Sequence, residues 1–100
     1  MQLPSIRNYG KYSSDNYGAH TLQVDVGPIR VWYSYSTPVA FQVDGHARVI
    51  HENSWGPTTG KHLNWIDGGD VDARKRRVSA EKFEQLWTAQ VEPILNPVAA

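Results

Sequence analysis

The sequence predicts an α+β domain: an antiparallel meander of four to five strands with one C-terminal helix packed on a face. Three observations predict it. Between residues 20 and 51 apolar and polar side chains alternate with a period of two. Gly27-Pro28 and Asp44-Gly45 punctuate that stretch as hairpin turns. Beyond Ser79 the apolar spacing becomes helical. At 100 residues the chain holds one domain. It divides into an N-terminal segment (1–17), the sheet (18–66), a charged loop (67–78), the helix (79–95) and a tail (96–100).

The first strand follows from Leu22, Val24 and Val26 alternating with Thr21, Gln23 and Asp25. Gly27 can adopt the positive φ that a type II′ turn needs at its first central position, and Pro28 fits the second. Folding there pairs Val26 with Ile29, Val24 with Val31 and Leu22 with Tyr33 on one face. Asp25 then meets Arg30, and Gln23 meets Trp32, on the other. Trp32 is left either exposed or covered by the N-terminal segment.

Thr37-Pro38 interrupts the pattern, since Pro belongs at a strand start or edge. Val39, Phe41 and Val43 then alternate into a three-residue loop, Asp44–His46. That loop sets Val43 opposite Ala47, Phe41 opposite Val49 and Gln42 beside Arg48. A fifth strand is expected at His62–Ile66, after a loop over Glu52–Lys61. In the C-terminal third, Ser79 is a good N-cap and Val78 can staple onto Phe83. Phe83, Leu86, Trp87, Val91 and Ile94 form one stripe, and Pro93 ends or kinks the helix near Glu92. A helix this short is marginal alone, so it must dock, and the apolar face of the meander is its expected seat.

Composition limits the function. Ten Lys and Arg balance ten Asp and Glu, for a formal net charge of zero. That argues against coating nucleic acid or an anionic membrane by bulk charge. With 0 Cys there are no disulfides, thiolate metal sites or thiol nucleophiles. The first residues lack an apolar signal region, and the longest near-apolar run, Pro38–Phe41, is too short to span a bilayer. The expected compartment is the cytoplasm, without a membrane partner.

Several motifs invite chemistry. Gly56-Pro57-Thr58-Thr59-Gly60-Lys61 looks like a phosphate loop. The Walker pattern, however, has four residues between its glycines and a hydroxyl after Lys, where His62 stands. It also needs a helix to follow, and a strand is expected here. His20, His46, His51 and His62 show no i, i+4 pairing, so no metal site is expected. Asp67-Gly68-Gly69-Asp70-Val71-Asp72 lacks the Gly and Glu positions of an EF-hand and reads as a solvated turn.

The run Arg74-Lys75-Arg76-Arg77 is more informative. Positive charge just before a helix opposes the macrodipole. The run therefore either pairs with Asp67, Asp70 and Asp72 or faces an anionic partner. In the second case it joins Lys61, Trp55 and Trp65 in a face of basic and stacking groups suited to nucleic acid. Arg7, Lys11, Tyr9, Tyr12 and Tyr17 would extend that face. Trp55 and Trp65 are either exposed anchors or buried pins for a long loop; Trp87, on the helix stripe, is core.

Two stretches, Tyr33-Ser34-Tyr35-Ser36-Thr37-Pro38-Val39-Ala40-Phe41 and Thr58-Thr59-Gly60-Lys61-His62-Leu63-Asn64, carry a likeness. On them the chain resembles a family of short phage, prophage and bacterial proteins classed as a domain of unknown function, from about Gly18 to Glu84. The resemblance implies a small free-standing accessory protein of a mobile element and carries over no catalytic or ligand residue.

The expected function is a non-enzymatic binding module acting through the 53–65 loop and the 74–77 segment. Its binding residues are Trp55, Thr58, Thr59, Lys61, His62, Asn64, Trp65, Arg74, Lys75, Arg76 and Arg77. Nucleic acid is the first expected partner. A protein partner is the second, whether a homodimer or a host factor inhibited in the manner of a phage protein. A small enzyme ranks third and requires His51 or His62 to approach a carboxylate in a cleft. No catalytic residue, metal or cofactor is assigned.

Overall fold

A computed structural model describes residues 5–10 and 21–95. Five antiparallel strands, β1 (Ser5–Asn8), β2 (Thr21–Val26), β3 (Ile29–Ser34), β4 (Thr37–Val43) and β5 (Val49–Ile50), lie in that order across one sheet. Four helical segments follow: α1 (Pro57–Asp67), α2 (Val71–Arg76), α3 (Ala80–Gln90) and α4 (Glu92–Leu95). The class is α+β.

The hairpin register follows the turn chemistry. Gly27 has φ 54°, and Val26 pairs with Ile29, Val24 with Val31, Leu22 with Tyr33, Asp25 with Arg30 and Gln23 with Trp32. At the next hairpin Phe41 pairs with Val49, and the Arg48 guanidinium reaches the Gln42 side chain at 3.4 Å. Between these, β4 carries a one-residue bulge: Trp32 pairs with Ala40 and Tyr33 with Pro38, leaving Val39 as the extra residue. The fifth strand is β1, at the other edge from the expected one. All four of its residues are exposed, so no alternation marks it in the sequence.

The segment His62–Ile66 is helical, not a strand. Thr59, His62, Leu63 and Ile66 recur at i, i+3, i+4 and i+7 and are the buried side of α1. Gly56 is the N-cap and Pro57 occupies the first turn, where its missing N–H costs nothing. Gly68, at φ 88° in the left-handed region, terminates the helix, and its N–H bonds the Asn64 carbonyl. Residues 56–61 are thus the opening turns of a helix rather than part of a loop over Glu52–Lys61.

This second helix changes the architecture, because the sheet is covered on both faces. On one face α3 brings Phe83 and Val91 onto Ile29, Val31, Phe41, Val43 and Val49, with Leu86 and Trp87 at the margin. The Phe41 ring meets Phe83 and Trp87 edge-on, with centroids 5.2 and 5.3 Å away. Such contacts add about 0.5–1.5 kcal/mol each beyond burial. On the other face α1 seats Leu63 and Ile66 over Trp32, Val39 and Ala40, joined by Tyr9. Trp32 is therefore core, with both α1 and Tyr9 of the N-terminal segment packed on its cluster.

The C-terminal helix starts as expected, with Ser79 accepting the Lys82 N–H at 3.3 Å. Val78 joins the Phe83 cluster and also bridges to His51 in parallel, extending the sheet edge. Helix α3 ends at Gln90, and the Pro93 segment forms the short α4. The stretch 67–78 is not only a loop, since it contains α2.

Candidate functional site

Helix α1 links two polar clusters, one at each end. At its start Ser34 Oγ lies 2.6 Å from His62 Nδ1 and 3.1 Å from Thr59 Oγ1. All three side chains are buried. Ser34 closes β3, and the two-residue turn beyond it holds Tyr35 at φ 57°, the one positive-φ non-glycine residue among those described. The Tyr35 ring stands 5.7 Å from His62, and Trp65 stacks on the same imidazole at 5.6 Å. Ser34, Tyr35, Thr37, Val39, Trp55 and Thr59 line a small cavity here.

At the far end of α1 the Arg77 guanidinium forks onto Asp67, Nε to Oδ2 at 2.8 Å and Nη2 to Oδ1 at 2.9 Å. Its Nη2 also donates to Asn64 Oδ1 at 3.1 Å, and the Gly69 N–H donates to Asp67 at 2.9 Å. Burial works to raise the Asp67 pKa. The Arg77 hydrogen bonds, the Gly69 N–H and the Arg77 charge outweigh it and hold the carboxyl below its ordinary range.

The basic run therefore divides. Arg77, one of the four, is consumed internally by Asp67, as the pairing alternative requires of it. Asp70 caps α2, accepting the Ala73 N–H at 2.8 Å, and Asp72 sits in its first turn. Arg74, Lys75 and Arg76 are exposed on the last turn of α2. Cations there favour the macrodipole of their own helix, so the conflict with α3 inferred from sequence is removed.

Beside them lies a feature the sequence reading missed. Arg48 stacks over the Trp32 ring at 4.5 Å and donates to the Ile66 carbonyl at 3.0 Å. With Arg76, Gln42, Ile50, Asp67 and Ala73 it lines an open cleft of about 340 Å³. Burial, and then the nearby Arg30 charge, lower the Arg48 pKa, against a smaller opposing pull from Asp67. The register contains the signal: Arg30 pairs with Gln42, which faces Arg48, so both arginines flank one residue.

The expected binding residues thus separate. Trp55, Thr59 and His62 gather at the start of α1, with Thr58 exposed in its first turn; Lys61 is exposed on the same helix. Trp55 is 45% exposed and packs one side against His51, centroids 4.6 Å apart. Trp65 is half-buried. Asn64 and Arg77 serve the ion-pair cluster, while Arg76 lines the Arg48 cleft and Arg74 and Lys75 are exposed on the same turn of α2. His51 and His62 meet Glu52 O and Ser34 respectively, and neither contact is with a carboxylate.

A five-stranded antiparallel sheet between helices, with a basic cleft at one end of α1, defines a small α+β domain. The chain belongs to the family of unknown function DUF8033, whose model matches residues 1–85. No curated protein and no solved structure matches it. No helix of the described residues is long and apolar enough to cross a membrane.

Proposed function

We propose that this domain is a non-enzymatic module that holds a nucleic-acid backbone at the cleft lined by Arg48 and Arg76, with Arg74 and Lys75 exposed on the same turn of α2 as Arg76. The supporting observation is the clustering of like charge around Arg48. Its guanidinium is fixed by Trp32 and the Ile66 carbonyl, in a cleft shared with Arg76 and close to Arg30. Like charges gathered in this way repel unless anions offset them, and of Arg30 and Arg48 the first has Asp25 at 3.3 Å. Asp67, the carboxylate in the cleft wall, is committed to Arg77. Guanidinium groups suit phosphate because they offer paired N–H donors.

The zero net charge makes the contact local and salt-sensitive rather than tight. Fluorescence anisotropy with labelled oligonucleotides at low salt tests it. Binding at about 10 µM or tighter is expected, together with its loss in the triple variant Arg74→Glu, Lys75→Glu, Arg76→Glu. A native protein that binds neither single strands nor duplex at low salt overturns the proposal.

A further inference from the structure

We infer that the cavity between the β3–β4 turn and the start of α1 seats one unstacked base of a single strand. This rests on the nucleic-acid reading above and adds a second contact to it. The cavity encloses about 80 Å³, well under the roughly 300–1,000 Å³ of sites that engulf a small molecule. A pocket of that size receives the edge of one planar ring, with the rest of the ligand outside.

Its walls suit such a ring. Tyr35, 48% exposed, and Trp55, 45% exposed, stand at the rim, and Val39 supplies an apolar wall. Ser34 and Thr59 also line it, their hydroxyls bonded to each other at 3.1 Å, and Ser34 Oγ also lies 2.6 Å from His62 Nδ1. A base would therefore meet only their remaining donor or acceptor capacity. A hydroxyl can donate or accept, and every base has a face to stack, so this chemistry accepts bases with little discrimination.

The rim is built in advance. The Trp55 backbone N–H donates to Asn53 Oδ1 at 3.0 Å, the Asn53 side-chain amide donates to the Gly56 carbonyl at 3.2 Å, and the indole rests on His51. Tyr35 is presented at φ 57° as the first central residue of the two-residue β3–β4 turn, a position that requires positive φ. Helix α1 then runs from this cavity to the basic cleft. Its 11 residues extend about 16 Å at the usual helical rise. Lys61 is exposed along it. A strand with one base in the cavity thus has a basic surface within reach for the phosphates that follow.

The test compares a thymidine oligonucleotide with the same backbone carrying abasic sites, both as labelled single strands. The intact protein should bind the base-bearing strand about tenfold more tightly. Trp55→Ala should bring the two affinities together, whereas Trp55→Phe should keep most of the difference, and circular dichroism checks that both variants are folded. Equal affinity of the intact protein for the two strands overturns the cavity assignment and leaves the basic cleft standing. Binding of neither strand overturns both. A difference that survives in folded Trp55→Ala also overturns the cavity assignment.

Discussion

The Arg77 guanidinium and the Asp67 carboxylate form a two-pronged ion pair at 2.8 and 2.9 Å, with side chains only 6% and 7% exposed. The pair joins the last residue of α1 to Arg77, the C-cap of α2, just before α3 begins. It also fixes Asn64, which accepts from the same guanidinium. One sequence-local charge run is thereby divided between a structural tie and a free basic surface.

Removing one partner of this pair should be costly. Arg77→Ala leaves the Asp67 charge buried without its counter-ion, and a loss of about 3–5 kcal/mol in unfolding free energy is expected. Arg74→Ala, on an exposed turn, should change stability by about 0.5 kcal/mol or less. Urea denaturation of both variants reads the contrast, and equal losses would show that Arg77 is not the tie described here.

The same pair sets a pH dependence. Asp67 has a lower pKa folded than unfolded, where an ordinary value of about 3.9 applies. Its stabilisation is therefore fully present above that unfolded value and is lost as pH falls through the lower folded one. Urea midpoints measured from pH 6 down to pH 2 should fall more steeply for the native protein than for Asp67→Asn. Parallel curves would contradict the assignment.

Gly69 should resist substitution more than Gly45. Both have positive φ, at 70° and 88°. A side chain at Gly45 meets open space, whereas a Cβ at Gly69 would lie 2.4 Å from Asn64 Oδ1 and 2.9 Å from Asn64 Cβ. Gly45→Ala should cost about 1–2 kcal/mol from backbone strain alone. Gly69→Ala should exceed that, because Asn64 must move and release Arg77. Thermal unfolding orders the two variants, and a larger loss at Gly45 would refute this account.

Ser34 ties β3 to α1. Ser34→Ala deprives the buried His62 and Thr59 of a shared partner, for an expected loss of about 1–3 kcal/mol. For a domain of this size that corresponds to a fall in Tm of several degrees, about 4–8 °C per kcal/mol. An unchanged Tm would mean that the hydroxyl contributes nothing to the junction.

The sheet was legible because its signals are local. Alternation from Leu22 to Val26 and the Gly27-Pro28 turn together gave the register, and Phe41 met Val49 as the Asp44–His46 loop required. Ser79 and the stripe from Phe83 to Val91 likewise marked α3. Helix α1 was not legible as read, because its buried side mixes Thr59 and His62 with Leu63 and Ile66, and Gly60 interrupts the centre. Five residues of the segment imitate a strand. Its markers were present nonetheless: Gly56-Pro57 before it and Gly68-Gly69 after it. Missing α1 hid the second covered face of the sheet, and with it the contacts of Ser34 and Arg48. Those depend on packing between distant segments, which spacing does not report. The N-terminal aromatics Tyr12 and Tyr17, with Lys11, lie outside the described residues, as do His20 and the 96–100 tail.

The central claim is that phosphates are held by the Arg48–Arg76 surface, and the salt dependence of binding measures it most directly. For a single strand, log K should fall linearly with log salt, by about 0.7 for each phosphate neutralised. Arg76→Gln and Arg48→Gln should each reduce that slope by about one contact. Trp55→Ala, at the other end of α1, should leave the slope as it is. A slope unaffected by Arg48 and Arg76, or no binding at low salt, would contradict the account.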